Sequence, residues 1–358
     1  MNSRERVVTA MRHQPTDRVP FDFALGFSPY QLAQFRLRTG QDNPDDYFGA
    51  DVRGTSISPT RVQTDFSKYI NLATLPPHAY IDEWGQGHIP TLSNDQYHSH
   101  LEGYVYPMLG LHDAKEAMEY PLPDIEAEYR YKTVEQDIAD QHARGFAVMA
   151  GMACTIFESA WYMRSMELLL MDFVDNQNFA AVLLDRITEK RVIQARRLAA
   201  LSPDVIMFGD DIASQRGMLM SVSMWRKWLK PRLARVIDSA RRVNNNVLCF
   251  YHSDGDATAI VLDLIEIGVD ILNPVQPECM NLPELVQRYG KDLSFWGTLG
   301  TQSTLPFGNA EDVRRDIKVR CDLAKHGGLL IAPTHMVEPE VPWDNLVAFV
   351  DAVKEFHS

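Results

Sequence analysis

The sequence predicts an α/β protein, a (β/α)8 TIM-type barrel whose N-terminal excursions cover one end. Short β-rich apolar segments close on polar residues in Phe208-Gly209-Asp210-Asp211, Phe250-Tyr251-His252-Ser253-Asp254, Leu272-Asn273-Pro274-Val275-Gln276, Phe295-Trp296-Gly297-Thr298 and Ile331-Ala332-Pro333-Thr334-His335. Each follows a segment of helical character, the alternation of a parallel sheet wound with helices, and each gathers polar groups where such a barrel builds its active site. A length of 358 residues with 45% hydrophobic and 23% charged content suits one ordered unit of this kind. Residues 1–358 are therefore read as one barrel domain, irregular from about 40 to 125.

The elements follow in order. Ser3 is a candidate N-cap for an amphipathic helix through Met11, ended before Pro15. Asp17 to Phe23 reads as an N-terminal strand. Residues 40–125, rich in Pro, Gly, Asp and Tyr, show no period, and Asp82-Glu83-Trp84-Gly85 reads as a loop there. A helix from Thr133 to about Arg144 then precedes a strand, Phe146 to Met152. Apolar residues around Glu167 to Met171 suggest a helix, and Val182, Leu183, Ile187 and Val192 give Phe179–Ala200 helical spacing. Ser223 is placed as the cap of a helix toward Arg242, bent or broken at Pro231. Further helices are expected over 257–268, 283–290 and 310–326, with a last one from Pro342 to the C-terminus.

Bulk properties exclude several classes. A net charge of -13, from 35 basic and 48 acidic residues, argues against nucleic acid or an anionic membrane surface as partner. No apolar run is long enough for a transmembrane helix, and the start lacks the apolar core of a signal peptide. The cysteines Cys154, Cys249, Cys279 and Cys321 are too few for a disulfide framework in so long a chain, so a cytoplasmic location is expected. Walker A, G-x-G-x-x-G and G-x-S-x-G motifs are absent, which removes the simple nucleotide and hydrolase readings.

The strand ends supply the candidate chemistry. His252 and Asp254 stand two positions apart at a strand-to-loop junction, where imidazole and carboxylate can ligate a metal or work as an oriented base. The plain alternative is a hydrogen-bonded loop histidine and a helix-capping aspartate. His335 ends the last strand, and Cys279 follows another; a thiolate with two imidazoles would complete a three-ligand zinc site. Cys279 is equally readable as a small buried hydrophobe, the reading given to the other cysteines. Glu158 and Asp210 are candidate acid/base groups, and adjacent Asp210 and Asp211 face opposite sides, so at most one enters the site. Helix capping accounts for them otherwise. Trp84, Tyr251, Gln215, Trp296 and Gln302 are the candidate substrate contacts. With Phe157 and Glu158, these rings predict an aromatic, acidic mouth with few arginines.

These blocks resemble the uroporphyrinogen decarboxylase superfamily over nearly the whole chain, in particular its branch that includes cobalamin-dependent methyltransferases. The resemblance rests on Ser3 to Val7 with Pro15 to Pro20, Phe208 to Asp211, Ile265 to Pro277 and Gly327 to His335. It implies a barrel with its site at the strand C-termini. The substrate-gripping Arg-Gln-Ala-Gly-Arg block of true uroporphyrinogen decarboxylases is replaced here by Val19-Pro20-Phe21-Asp22-Phe23-Ala24-Leu25-Gly26, with acid where base is needed. The methyltransferases hold zinc with His-x-Cys after one strand and Cys after the last. This chain has His252-Ser253-Asp254 and His335 at those places. The implied function is metal-dependent methyl transfer between a small substrate and a corrinoid on a partner protein, with zinc as the expected ion. Decarboxylation of a smaller acid, or a non-catalytic barrel serving a corrinoid protein, are the alternatives. Oligomeric state is not readable from one chain.

Overall fold

The computed structural model describes residues 1–23, 25–93 and 96–356, so Ala24 and the expected helical end at His357 and Ser358 lie outside the described residues. In chain order the strands are β1 (Val52–Thr55), β2 (Tyr80–Ile81), β3 (Gly87–Ser93), β4 (Gln96–Val105), β5 (Ala147–Met152) and β6 (Val205–Gly209). They continue as β7 (Ala213–Ser214), β8 (Gly217–Met218), β9 (Leu248–His252), β10 (Ile271–Asn273), β11 (Ser294–Trp296) and β12 (Leu329–Leu330). Seven form one sheet in the order β1-β5-β6-β9-β10-β11-β12, parallel throughout. Phe21 closes the ring. It forms a parallel bridge to Ile331 beyond β12, and its carbonyl accepts from Asp51 N at 2.9 Å beside β1. The molecule is thus the TIM-type barrel expected from the strand–helix alternation.

Period-two alternation sorts each strand's side chains. Met149, Met207, Phe250, Trp296 and Leu330 pack together inside the barrel. Phe208, Cys249, Tyr251, Phe295 and Leu329 belong to the outer layer under the helices. The first helix, Ser3–Met11, sends Val7, Ala10 and Met11 into the inner cluster and plugs the end where the strands begin. Its cap is Asn2, which makes a full capping box with Glu5, rather than Ser3. Buried Asp51 ties this end together, taking Arg6 at 2.8 Å and Arg18 at 2.7 Å. With one end plugged, the strand C-termini form the open mouth.

Several elements differ from the expectations. Pro29–Thr39 is a helix, capped by Ser28 with Pro29 in its first turn and closed by Gly40 at φ 68°. Within the region read as irregular, β2, β3 and β4 form an antiparallel ribbon. Pro231 does mark a break: Val222–Trp228, capped by Ser221 and not Ser223, stops before Lys230–Arg241, which carries the proline in its first turn. Among the described residues no helix is long and apolar enough to cross a membrane.

Candidate active site

The site begins at the end of β9. His252 shares the inward parity of Phe250, and only 8% of its surface is exposed. The parallel register sets it beside Gly209 on one side and Asn273 on the other. A Cβ at Gly209 would stand 2.7 Å from His252 Cβ, so a side chain there would push the imidazole aside. Asn273 Nδ2 donates to Trp296 O at 2.9 Å, which turns Asn273 Oδ1 toward His252 Nδ1 at 2.6 Å. That oxygen can only accept, so the imidazole carries its proton on Nδ1. Gly297, at φ 77°, leaves room for the Asn273 amide, with which an added Cβ would collide.

The consequence falls on the other ring nitrogen. His252 Nε2 lies 3.7 Å from Asp211 Oδ1 and 3.9 Å from Asp254 Oδ1, too far for hydrogen bonds. With Nδ1–H given to Asn273, Nε2 and these two carboxylate oxygens form a donor set turned toward one point, which a cation between them would satisfy. One ligand atom from each of Asp211, His252 and Asp254 lies within 4.8 Å of the others, the spacing of groups that share an ion. Asp254 N also donates to Asp211 Oδ1 at 2.7 Å, which fixes the two loops against each other.

Glu158 and Asp210 stand behind this group. Asp210 accepts from Ile156 N at 2.9 Å and Glu158 N at 3.0 Å, so it pins the start of the helix Phe157–Arg164. Burial pushes its carboxyl up to about 6, against the pull of those backbone donors. Glu158 is held well above the usual carboxylate range, first by burial and then by the charges of Asp211 and Asp210. Tyr162 OH donates to Glu158 Oε1 at 3.4 Å. Arg191, buried, donates to Cys154 O, Thr155 O and Ser159 Oγ, and so holds the loop that delivers Glu158.

A cavity of about 780 Å³ covers the cluster. It takes in His252, Asp254, Glu158 and His335, which faces the cluster's cavity without joining the group of closely spaced ligands. Gln302 lines it too and accepts from Gln215, which bridges from the β7–β8 hairpin. The remaining sequence candidates lie elsewhere. Cys279 lines a separate cavity with Glu278 and Leu282, its Sγ 3.8 Å from Gln276 Oε1. Asp210 faces the backbone, and its neighbour Asp211 enters the mouth. Tyr251 has outward parity and is buried in the helix layer; Trp296 is inside the barrel, donating to Asp22 Oδ1 at 3.0 Å. Phe157 is core, and Trp84 is buried beneath the Arg191 guanidinium at 4.7 Å. The aromatic rings at the mouth are Tyr104, Tyr162 and Phe307. Asp211, weighed against Asp210 in the sequence, is the one of the pair at the mouth, and Asn273 is a site residue that the sequence reading did not single out. The register pairs Asn273 with His252, and Asp211 shares the parity of Gly209, which pairs with His252 on the other side, so strand pairing has to be known first.

The family described as uroporphyrinogen decarboxylase (URO-D) matches residues 106–356. A curated uroporphyrinogen decarboxylase from Hydrogenobaculum sp. (strain Y04AAS1) is 26% identical over 183 residues, 51% of this chain and 50% of that protein. The match thus spans about half the length of this curated relative. The structure of a methyltransferase from Methanosarcina mazei is similar with a TM-score of 0.70 and 19% identity, covering 99% of both chains. At that identity the likeness speaks for the fold.

Proposed function

The chain belongs to the uroporphyrinogen decarboxylase family, and on that premise we propose that it is a metal-dependent methyltransferase or demethylase. Its methyl group would pass between a small substrate and a corrinoid carried by a partner protein. The observation that carries this reading is the convergence of His252 Nε2 with Asp211 and Asp254 at 3.7 and 3.9 Å, its Nδ1 proton already committed to Asn273. The donor set of one imidazole and two carboxylates fits a divalent cation of the zinc type, and harder ions also accept it. When bound, such an ion supplies Lewis acidity that lowers the pKa of a coordinated thiol or hydroxyl.

The protein's own groups do the rest. Asn273 orients the imidazole and sets its tautomer, as outer-shell partners of ligating histidines do. Glu158, its carboxyl pushed well upward by burial and its acidic neighbours, can hold a proton at the substrate heteroatom. Phe307, 73% exposed at the cavity's rim, offers an apolar ring that suits the flat face of a macrocycle brought by a partner. Decarboxylation of a small acid is less well supported, since among the described residues lining the cavity none is a lysine or arginine that could hold the acid.

Elemental analysis of the purified protein is the test, with His252→Ala and Asp254→Ala alongside and methylcobalamin demethylation followed by absorbance. About one equivalent of divalent metal per chain is expected, lost in both variants together with methyl transfer. Protein that takes up no metal at that level after reconstitution with zinc, cobalt or manganese overturns the reading.

A further inference from the structure

Resting on that reading of the site, we propose that the substrate is a small organic cation of the methylated ammonium class, its charge held by Glu338 and Glu340 and by the tyrosine rings of the mouth. The cavity is lined by the acidic side chains of Glu158, Asp211, Asp254, Glu338 and Glu340, while no described residue lining it is a lysine or arginine. The stretch 69–114, which supplies Tyr104, contains no lysine or arginine at all. Asp211 and Asp254 face the metal position. Glu338 and Glu340 come from the loop after β12 and are not part of that group. A divalent ion bound by His252 and the two aspartates would leave their side of the cavity near neutrality, and these two glutamates would still make it negative.

The acid-bearing loop is built into the fold. Gln31 is buried, and its amide reaches the carbonyls of Glu338 at 2.9 Å, Pro339 at 3.3 Å and Val341 at 2.7 Å. Val337 N donates to Gly26 O at 2.9 Å and Ser28 N to Val337 O at 3.0 Å, so the segment is zipped to the start of the Pro29–Thr39 helix. The tyrosines are equally held. Tyr104 and Tyr162 pack with ring centroids 4.8 Å apart, and Trp161 backs both at 5.4 and 3.9 Å. Electron-rich faces beside carboxylates are the surroundings in which a methylated ammonium binds, because it is a diffuse cation whose charge is spread over its methyl groups. An anionic substrate would find no described lysine or arginine lining this cavity to pair with.

Calorimetric titration of the full chain with choline, its neutral carbon isostere 3,3-dimethylbutan-1-ol and the anion 3,3-dimethylbutanoate tests charge at nearly constant shape. Choline should bind at least about tenfold tighter than the alcohol, and the anion weakest. Glu338→Gln with Glu340→Gln should abolish the preference and leave metal content unchanged. Equal binding of choline and the alcohol overturns the proposal, as does a preference for the anion or no binding of any probe at about 10 mM. Metal uptake without a choline preference removes this inference and leaves the metal reading standing. A choline preference in protein that takes up no metal does the reverse.

Discussion

At the scale of single residues, the site is governed by which ring nitrogen of His252 carries the proton, and Asn273 decides that. Its amide nitrogen is spent on Trp296 O, so its oxygen must face the imidazole. Asn273→Ala removes the acceptor and frees the ring to turn or change tautomer. Metal affinity, measured by competition with a chromophoric chelator, should fall about 10–100-fold. Unchanged affinity would mean that Asn273 does not orient the ligand. His252 and Asp254 could be found in the sequence because a strand end followed by a turn announces them. Asp211 was harder. The pair Asp210-Asp211 shows that one faces in, but the choice depends on the pairing of Gly209 with His252, which no local pattern records.

At the scale of elements, the junction between β5 and the helix Phe157–Arg164 links the barrel to the acid Glu158. Asp210 holds that junction through the backbone amides of Ile156 and Glu158. Its carboxyl is raised to about 6 by burial, whereas in the unfolded chain it titrates near the usual aspartate value of about 3.9. An acid raised in the folded state favours folding most below its unfolded pKa, and that contribution is lost as pH climbs through about 6. Asp210→Asn stays neutral at every pH. It should therefore gain on the wild type by up to about 3 kcal/mol between pH 4 and 7, read from urea midpoints across that range. A difference that does not change with pH would show that Asp210 is not so perturbed. The helices were mostly legible in the sequence, since apolar spacing and caps are local signals. Pro29–Thr39 was overlooked although Ser28-Pro29 and Gly40 mark its ends. The ribbon of β2, β3 and β4 is held by pairing between strands, with a register shift between Pro90 and Leu92, and a single strand's composition does not show that.

At the scale of the whole molecule, the barrel's polarity was readable because five apolar segments close on polar residues at their C-terminal ends. The mouth's aromatic character was also readable, but not its members. Trp84, Tyr251 and Trp296 are large rings near strand ends, and packing claimed them for the core, while Tyr104 reached the mouth from the ribbon. Charge is the property that the whole chain and the cavity share. The net charge of -13 repels anions at long range, and the cavity adds Asp211, Asp254, Glu338 and Glu340 with no described lysine or arginine in its lining. Uroporphyrinogen is a polycarboxylate, and each carboxylate buried without a cationic partner costs several kcal/mol. On that ground uroporphyrinogen is not the substrate we expect here, although the chain belongs to the family named for its decarboxylase. Anaerobic incubation with uroporphyrinogen, followed by chromatography of the oxidised porphyrins, should give no decarboxylated product above the rate without enzyme. Steady accumulation of such products that depends on His252 or Asp211 would show that the acidic mouth does accept a polyanion, and would put decarboxylation ahead of methyl transfer.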